Sequence, residues 1–188
     1  MELKKMSESN LTNDQQNDGP IKVAAKTVVS FHYRMSEVDA EGKIGNWLED
    51  SFEAEPLFYL HGFGNIISGV EAALEGMSVG DNTAVTLDPI SAYGPRKENA
   101  IQRVPVKHLQ FAKSTRKILP GMVAGVKTEK GMRNVVIVKA GKFSADVDFN
   151  HPLSGKTLHY ELEINSVREA TAEEVAHRHV HGNGGNHH

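Results

Sequence analysis

Apolar and polar residues alternate over Thr27 to Met35, placing Val29, Phe31, Tyr33 and Met35 on one face of an extended segment. A period of two with a single apolar face predicts a half-buried strand. The pattern recurs over a longer run at Lys156 to Val167, where Leu158, Tyr160, Leu162 and Ile164 alternate with His159, Glu161, Glu163 and Asn165. One buried and one wet face predict an antiparallel sheet. Shorter runs at Pro56 to His61 and Asn82 to Leu87 predict two more strands, and the segment from Val38 to Asp50 reads as a loop with a short strand.

After Ser68 the period changes. Val70, Ala73, Leu74 and Met77 follow helical spacing, with Gly76 as a stop signal. Ser68 with Glu71 three residues on predicts a capping box. So short a helix, apolar on one side, needs a sheet to dock on. Between Pro95 and His151 the character differs again: a charged stretch precedes strand-like runs at Gly121 to Thr128, Asn134 to Lys139 and Phe143 to Phe149, with turn signals at Glu129 to Gly131 and at Ala140-Gly141. This region is expected to be a small all-β module inserted into the host fold. The fold class is α+β.

Composition narrows the function. A length of 188 residues suits one domain or two small ones, and 39% hydrophobic content is lean for one compact core. The net charge of -3 and scattered basic residues argue against a nucleic-acid partner. The absence of cysteine excludes disulfides, thiolate metal sites and thiol nucleophiles, and permits a reducing compartment. Residues 1–20 are rich in Asn, Gln, Ser and Asp, which predicts a disordered leader rather than a secretory signal. No stretch approaches the ~20 apolar residues that span a bilayer. A soluble, cytoplasmic monomer with no membrane partner is expected. No G-x-S-x-G or H-E-x-x-H occurs, and His61 to Ile67 (HGFGNII) matches a dinucleotide fingerprint only in part, because Ile67 stands where the third glycine belongs.

One long phrase is more specific. Ile67 to Asp81 reads I-S-G-x-E-x-A-L-x-G-M-x-V-G-D, and A-Y-G follows at Ala92 to Gly94. Together with YLHGxG before it, ENxxQRVP after it and VREATxEEVAH at residues 167–177, this resembles the FKBP-type prolyl isomerases, in particular their SlyD branch. The resemblance runs from about residue 22 to the end. It implies an FKBP-like curved antiparallel β-sheet wrapped on a short helix, with a small mainly-β domain inserted in the flap. The implied organisation is an isomerase domain at residues 21–95 plus 152–170, a chaperone-like insert at 96–151 and a flexible His-rich tail at 171–188.

Rotation about a peptide bond faces a barrier of ~20 kcal/mol in water. No covalent step or cofactor is required to lower it, because an apolar pocket that prefers the twisted amide over the planar one suffices. By resemblance the pocket is lined by Tyr33, Leu57, Tyr59, Ile66, Ile67, Tyr93 and Tyr160, with Tyr93 donating a hydrogen bond to a substrate carbonyl. Val70 takes a position where many FKBPs have tryptophan. The acidic pocket position falls to Glu49 or Asp50, with Leu48 as apolar neighbour. Trp47 either caps the pocket mouth or packs beneath the loop. Met122, Met132, Val135, Val136 and Ile137 offer the insert either a surface for unfolded chains or its own core.

In the tail, His177, His179 and His181 alternate and His187 and His188 follow. Imidazole suits nickel, zinc and copper, so the tail is read as a metal site, with nickel as the ion the resemblance implies. The implied partners are unfolded or partly folded polypeptides with X-Pro bonds, together with metalloenzyme maturation proteins. The alternative is a nickel metallochaperone or holdase in which isomerase activity is secondary.

Overall fold

The computed structural model describes residues 19–112, 117–129 and 131–181. In chain order the elements begin β1 (Thr27–Val38), β2 (Ile44–Asp50), β3 (Leu57–Leu60), α1 (Ser68–Leu74) and β4 (Asn82–Leu87). They continue β5 (Ile101–Pro105), β6 (Leu109–Gln110), β7 (Val123–Thr128), β8 (Gly131–Ala140), β9 (Ser144–Asp148), β10 (Thr157–Glu169) and α2 (Ala172–His177). The expected leader, residues 1–20, lies almost wholly outside the described residues.

Two separate antiparallel sheets form. The first runs β2-β1-β10-β4, with β3 also paired to β1. Its spine is the pairing of β1 with β10, which sets Phe31 opposite Ile164, Tyr33 opposite Leu162 and Met35 opposite Tyr160. Side chains directly opposite in an antiparallel pair share a face, so the two predicted alternations merge into one apolar surface. That surface packs on Val70 and Leu74 of α1, with Val29, Tyr59, Leu87 and Leu158 completing the core. The helix sits close: a Cβ on Gly69 would fall 2.5 Å from a methyl of Leu87 and 2.8 Å from the Ser91 carbonyl oxygen. Only glycine tolerates that approach.

The second sheet, β5-β9-β8-β7-β6, is built entirely from residues 101–148 and encloses its own core. This is the expected mainly-β insert. Its strands match the three predicted runs within two or three residues, and Thr128 pairs with Gly131 across the first predicted turn. Val135 and Ile137 are 1% exposed and fill the core, which removes them from the expected client surface; Met132 is 54% exposed. Among the described residues no helix is long and apolar enough to cross a membrane.

Two local expectations are corrected. Ser68 does not cap α1: Ile67 holds the N-cap position and no side chain caps the helix. The amide of Gly69 donates instead to the Ser91 carbonyl at 2.9 Å, and Glu71 accepts from the Gly62 amide at 2.8 Å. Tertiary partners satisfy what the local box was expected to satisfy. The described part of the tail is also ordered. Helix α2 begins with a capping box formed by Thr171 and Glu174 and ends at Arg178 in the left-handed conformation.

Glu174, 1% exposed, anchors this segment. Its carboxylate accepts from both terminal nitrogens of Arg168 at 2.8 and 2.7 Å, from the Thr171 amide at 2.9 Å and from the His181 amide at 3.1 Å. The Arg168 guanidinium holds the carboxyl well below the usual carboxylate range, against the opposing effect of burial. A carboxylate with a depressed folded-state pKa stabilises fully at neutral pH, and its contribution is lost progressively as pH falls from the ordinary carboxylate range through that depressed value. Glu174→Ala is therefore expected to strip amide protection from residues 172–181 at pH 7 while β1 and β10 keep theirs, as read by hydrogen exchange. Unchanged protection would show that packing alone holds the helix.

Candidate functional site

A cavity of about 960 Å³ opens where the concave face of the first sheet meets the start of α1. Phe31 and Tyr33 reach it from β1, Tyr160 from β10, and Leu57 and Phe58 from β3. Ile66 and Ile67 line it as the chain enters α1, and Val70 follows one turn later. Phe31, Tyr33 and Tyr160 are placed by strand alternation and Val70 by a helical face, each of which first serves the core. Phe31 packs edge-on to Tyr59 at 5.6 Å, and Tyr33 tilts against Phe31 at 6.0 Å and Tyr160 at 6.4 Å.

Polar groups enter the cavity from Tyr33, Glu49, Asn65, Tyr93, His151, Tyr160 and His179. The Tyr33 hydroxyl donates to Glu49 Oε2 at 3.0 Å. Burial, followed by the charge of Glu49 and the hydrogen bond to it, pushes the Tyr33 phenol up to about 12. Tyr160 is pushed up as well, first by burial and then by the Tyr93 side chain. Both stay protonated at neutral pH and act as hydrogen-bond donors rather than bases. Tyr93 stacks flat on His151, with ring centroids 4.1 Å apart and planes 4° from parallel.

The register sets the two acidic candidates on opposite faces of β2. On β2, Glu49 lies opposite Met35 and Asp50 opposite Arg34. Met35 and Tyr33 face the core side of β1, so Glu49 shares their face and reaches the cavity, while Asp50 points the other way. Asp50 caps a turn, accepting from the Phe52 amide at 2.9 Å.

Of the residues expected in the pocket, Tyr33, Glu49, Leu57, Ile66, Ile67, Tyr93 and Tyr160 converge on it. Leu48, Asp50 and Tyr59 do not. Leu48 is 52% exposed on the outward side of β2. Tyr59 is 1% exposed in the core beneath Phe31, and its hydroxyl donates to His61 Nδ1 at 2.9 Å. His61 in turn bonds Glu75 through Nε2, which leads this polar chain away from the cavity. Trp47 neither caps the mouth nor packs beneath the loop: it lies outside the cavity wall, under the Arg34 guanidinium at 4.5 Å.

Sequence reasoning missed Phe31, Phe58, Asn65 and His151 as pocket residues, and it did not bring the tail to the site. His179 and Val180 line the cavity mouth. Asn65 holds them there: its Oδ1 accepts from the Leu60 amide at 3.1 Å and its Nδ2 donates to the Arg178 carbonyl at 3.0 Å. The Thr-x-x-Glu spacing at Thr171 and Glu174 was the readable signal that the chain keeps a fixed course here.

His177, His179 and His181 form a cluster whose candidate ligand nitrogens all lie within 4.8 Å of one another. His177 Nδ1 and His181 Nε2 are 2.8 Å apart. His179 Nδ1 lies 3.0 Å from the His177 carbonyl, so it carries the proton and donates, which makes Nε2 the ligating nitrogen. Three imidazoles so placed fit a borderline-soft divalent ion. His187 and His188, expected to join them, lie outside the described residues.

The pattern of the family described as FKBP-type peptidyl-prolyl cis-trans isomerase matches residues 19–165. The FKBP-type peptidyl-prolyl cis-trans isomerase SlyD of Aeromonas hydrophila is 41% identical over 165 residues, covering 88% of this chain and 74% of that protein. The SlyD proteins of Escherichia coli K12 and Pasteurella multocida are 40% and 38% identical, covering 86% and 88% of this chain and 79% of each relative. The aromatic cavity, the second sheet carried between β4 and β10, and the histidine cluster thus sit in a chain that belongs to the FKBP-type peptidyl-prolyl cis-trans isomerases, in their SlyD branch.

Proposed function

We propose that the aromatic cavity is where this isomerase rotates X-Pro bonds of folding polypeptides, that the insert captures those chains, and that the histidine cluster binds nickel. The observation that carries the reading is the composition of the cavity: aromatic and branched walls, with its carboxylate, Glu49, on an exposed strand at the edge. An X-Pro unit entering it loses the water that stabilises the planar, charge-separated form of its amide. The twisted form, less amide-like, loses less, and the barrier falls.

Within that scheme Tyr160, Leu57 and Val70 hold the prolyl ring, and Ile66 and Ile67 form the floor. Tyr93 donates to a substrate carbonyl. Tyr33, its one hydroxyl proton held by Glu49, lines the pocket beside that carboxylate and offers substrate only an acceptor oxygen. Functionally, residues 21–95 with 152–170 form the catalytic unit, 96–151 the capture unit and 171–188 the metal-binding unit. Cytoplasmic placement belongs to the same proposal and draws on the absence of cysteine.

Glu49→Gln should lower kcat/KM on a short X-Pro peptide about fivefold, the equivalent of about 1 kcal/mol for one weakened hydrogen bond. Asp50→Asn should stay within twofold. Equal losses, or a loss only at Asp50, would remove Glu49 from the site.

The insert exposes Ile101, Leu119, Val123, Met132, Val138 and Phe143, the last at 77%. Apolar side chains left on a surface suit weak, adaptable contact with unfolded chains. Replacing residues 98–147 with a short Gly/Ser loop keeps the attachment residues Arg96, Asp148 and His151. Proline-limited refolding of a model protein should then be accelerated at least tenfold less, while turnover of a short peptide is largely kept. Equal acceleration of refolding would mean that the insert captures nothing.

Imidazoles must be neutral to ligate, so nickel affinity should fall on acidification. Calorimetric titration of His177→Ala/His181→Ala with nickel should show affinity at least tenfold weaker than that of the unaltered chain. Undiminished affinity would place the metal elsewhere.

A further inference from the structure

Tyr93 sits on the loop after β4, and little of that loop explains why its ring should hold one orientation. Gly94 has a positive φ of 79°, and its amide returns to the Pro89 carbonyl, so the backbone turns tightly just there. A phenol on such a turn has several staggered rotamers open to it. The hydroxyl end of the ring meets the Tyr160 side chain, and its flat face is covered by His151, stacked at 4.1 Å and 4°.

We propose that His151 is a positioning residue of the isomerase site: its imidazole fixes the plane of the Tyr93 ring and so aims the Tyr93 hydroxyl into the cavity. This rests on the reading of Tyr93 as a donor to substrate.

The imidazole is itself held rigidly. The Leu153 amide donates to His151 Nδ1 at 3.1 Å. A backbone amide has only a proton to offer, so Nδ1 is the acceptor and the ring proton sits on Nε2. Burial lowers the pKa of His151, against the opposing pull of Glu49, which keeps the stacked ring neutral. The same turn also grips the Tyr93 backbone. Ser154 Oγ donates to the Tyr93 carbonyl at 3.1 Å, the Ser154 amide donates to the His151 carbonyl at 2.9 Å, and the Gly155 amide donates to the Gly94 carbonyl at 2.9 Å. One short segment, His151 to Gly155, thus contacts both the ring and the backbone of Tyr93.

That segment lies at the foot of the insert, where the chain leaves and re-enters the host. Lys97 and Asn150 exchange two hydrogen bonds of 2.9 Å, backbone to side chain in both directions, and Arg96 pairs with Asp148. The crossings are clasped one residue before His151. A residue that only filled space would need neither a flat ring nor a fixed tautomer.

The test compares His151→Phe, which keeps a flat ring, with His151→Leu, which keeps bulk without one, on a short X-Pro peptide. His151→Leu should lower kcat/KM about fivefold, mainly through kcat, and His151→Phe should stay within twofold of the unaltered enzyme. In a Tyr93→Phe background, where no hydroxyl remains to be aimed, His151→Leu should cost less than twofold more. If Leu and Phe are equally active, or if Leu costs the same factor in both backgrounds, His151 does not act through the Tyr93 hydroxyl and the proposal falls alone. If Tyr93→Phe itself matches the unaltered enzyme, the reading of Tyr93 as donor fails and takes the proposal with it.

Discussion

The pairing of β1 with β10 is the constraint on which the rest depends. Both strands are long, 12 and 13 residues, and they run side by side through the middle of the host sheet. Because side chains alternate with a period of two, the register that sets Met35 opposite Tyr160 also decides which residues meet α1 and which meet water. A slip of one residue would turn Phe31, Tyr33 and Met35 outward and replace them with His32, Arg34 and Ser36. It would empty the core and unmake the cavity together, since Phe31, Tyr33 and Tyr160 belong to both. The ladder even absorbs an irregularity: between Ser30 and Phe31 the register shifts past Asn165, after which Val29 meets Val167. A bulge of this kind bends and twists a strand, as a sheet wrapped on a helix requires.

The cavity's chemistry follows from the same economy of position. Part of its wall, from Phe31, Tyr33, Val70 and Tyr160, is core seen from the open end, and that part is aromatic and branched. Hydroxyl groups enter it only as the tips of tyrosines whose rings already pack, and burial keeps Tyr33 and Tyr160 protonated. The carboxylate stands on β2, an exposed edge strand, where its charge stays solvated. A catalyst that works by withholding water from an amide needs this arrangement: donors that carry no charge inside, and charge kept at the edge.

Much of this was legible in the sequence. The alternation at Leu158 to Ile164 and the helical spacing at Val70 to Met77 each predicted an element that formed, because burial of one face left little alternative. Seven of the residues carried over by resemblance reached the cavity, Tyr33 and Tyr160 among them for the same reason. The failures have physical causes. Glu49 and Asp50 could not be separated without the pairing of β2 to β1, which is tertiary information. Tyr59 shares β3 with Leu57, but it lies two residues further along the strand, beneath Phe31 and outside the cavity. The capping box was assigned to the wrong helix, since α1 found its partners in Ser91 and other distant groups, whereas the Thr171 box was available and passed over. His151 gave no periodic signal at all; its meaning arises only when two chain crossings bring it against Tyr93.

Those crossings also explain how a second sheet can live inside the first domain without disturbing it. The insert has its own core, separate from that of the host. Its two connections leave and return within hydrogen-bonding distance of each other, locked by Lys97 with Asn150 and by Arg96 with Asp148. A loop whose ends are already fixed together adds little further closure cost however long it grows. The segment between clasp and β10 is then free to be short and rigid, and that segment holds Tyr93 by ring and by backbone. The inserted sheet thus enters the molecule where its attachment and the Tyr93 side of the cavity are made from the same few residues.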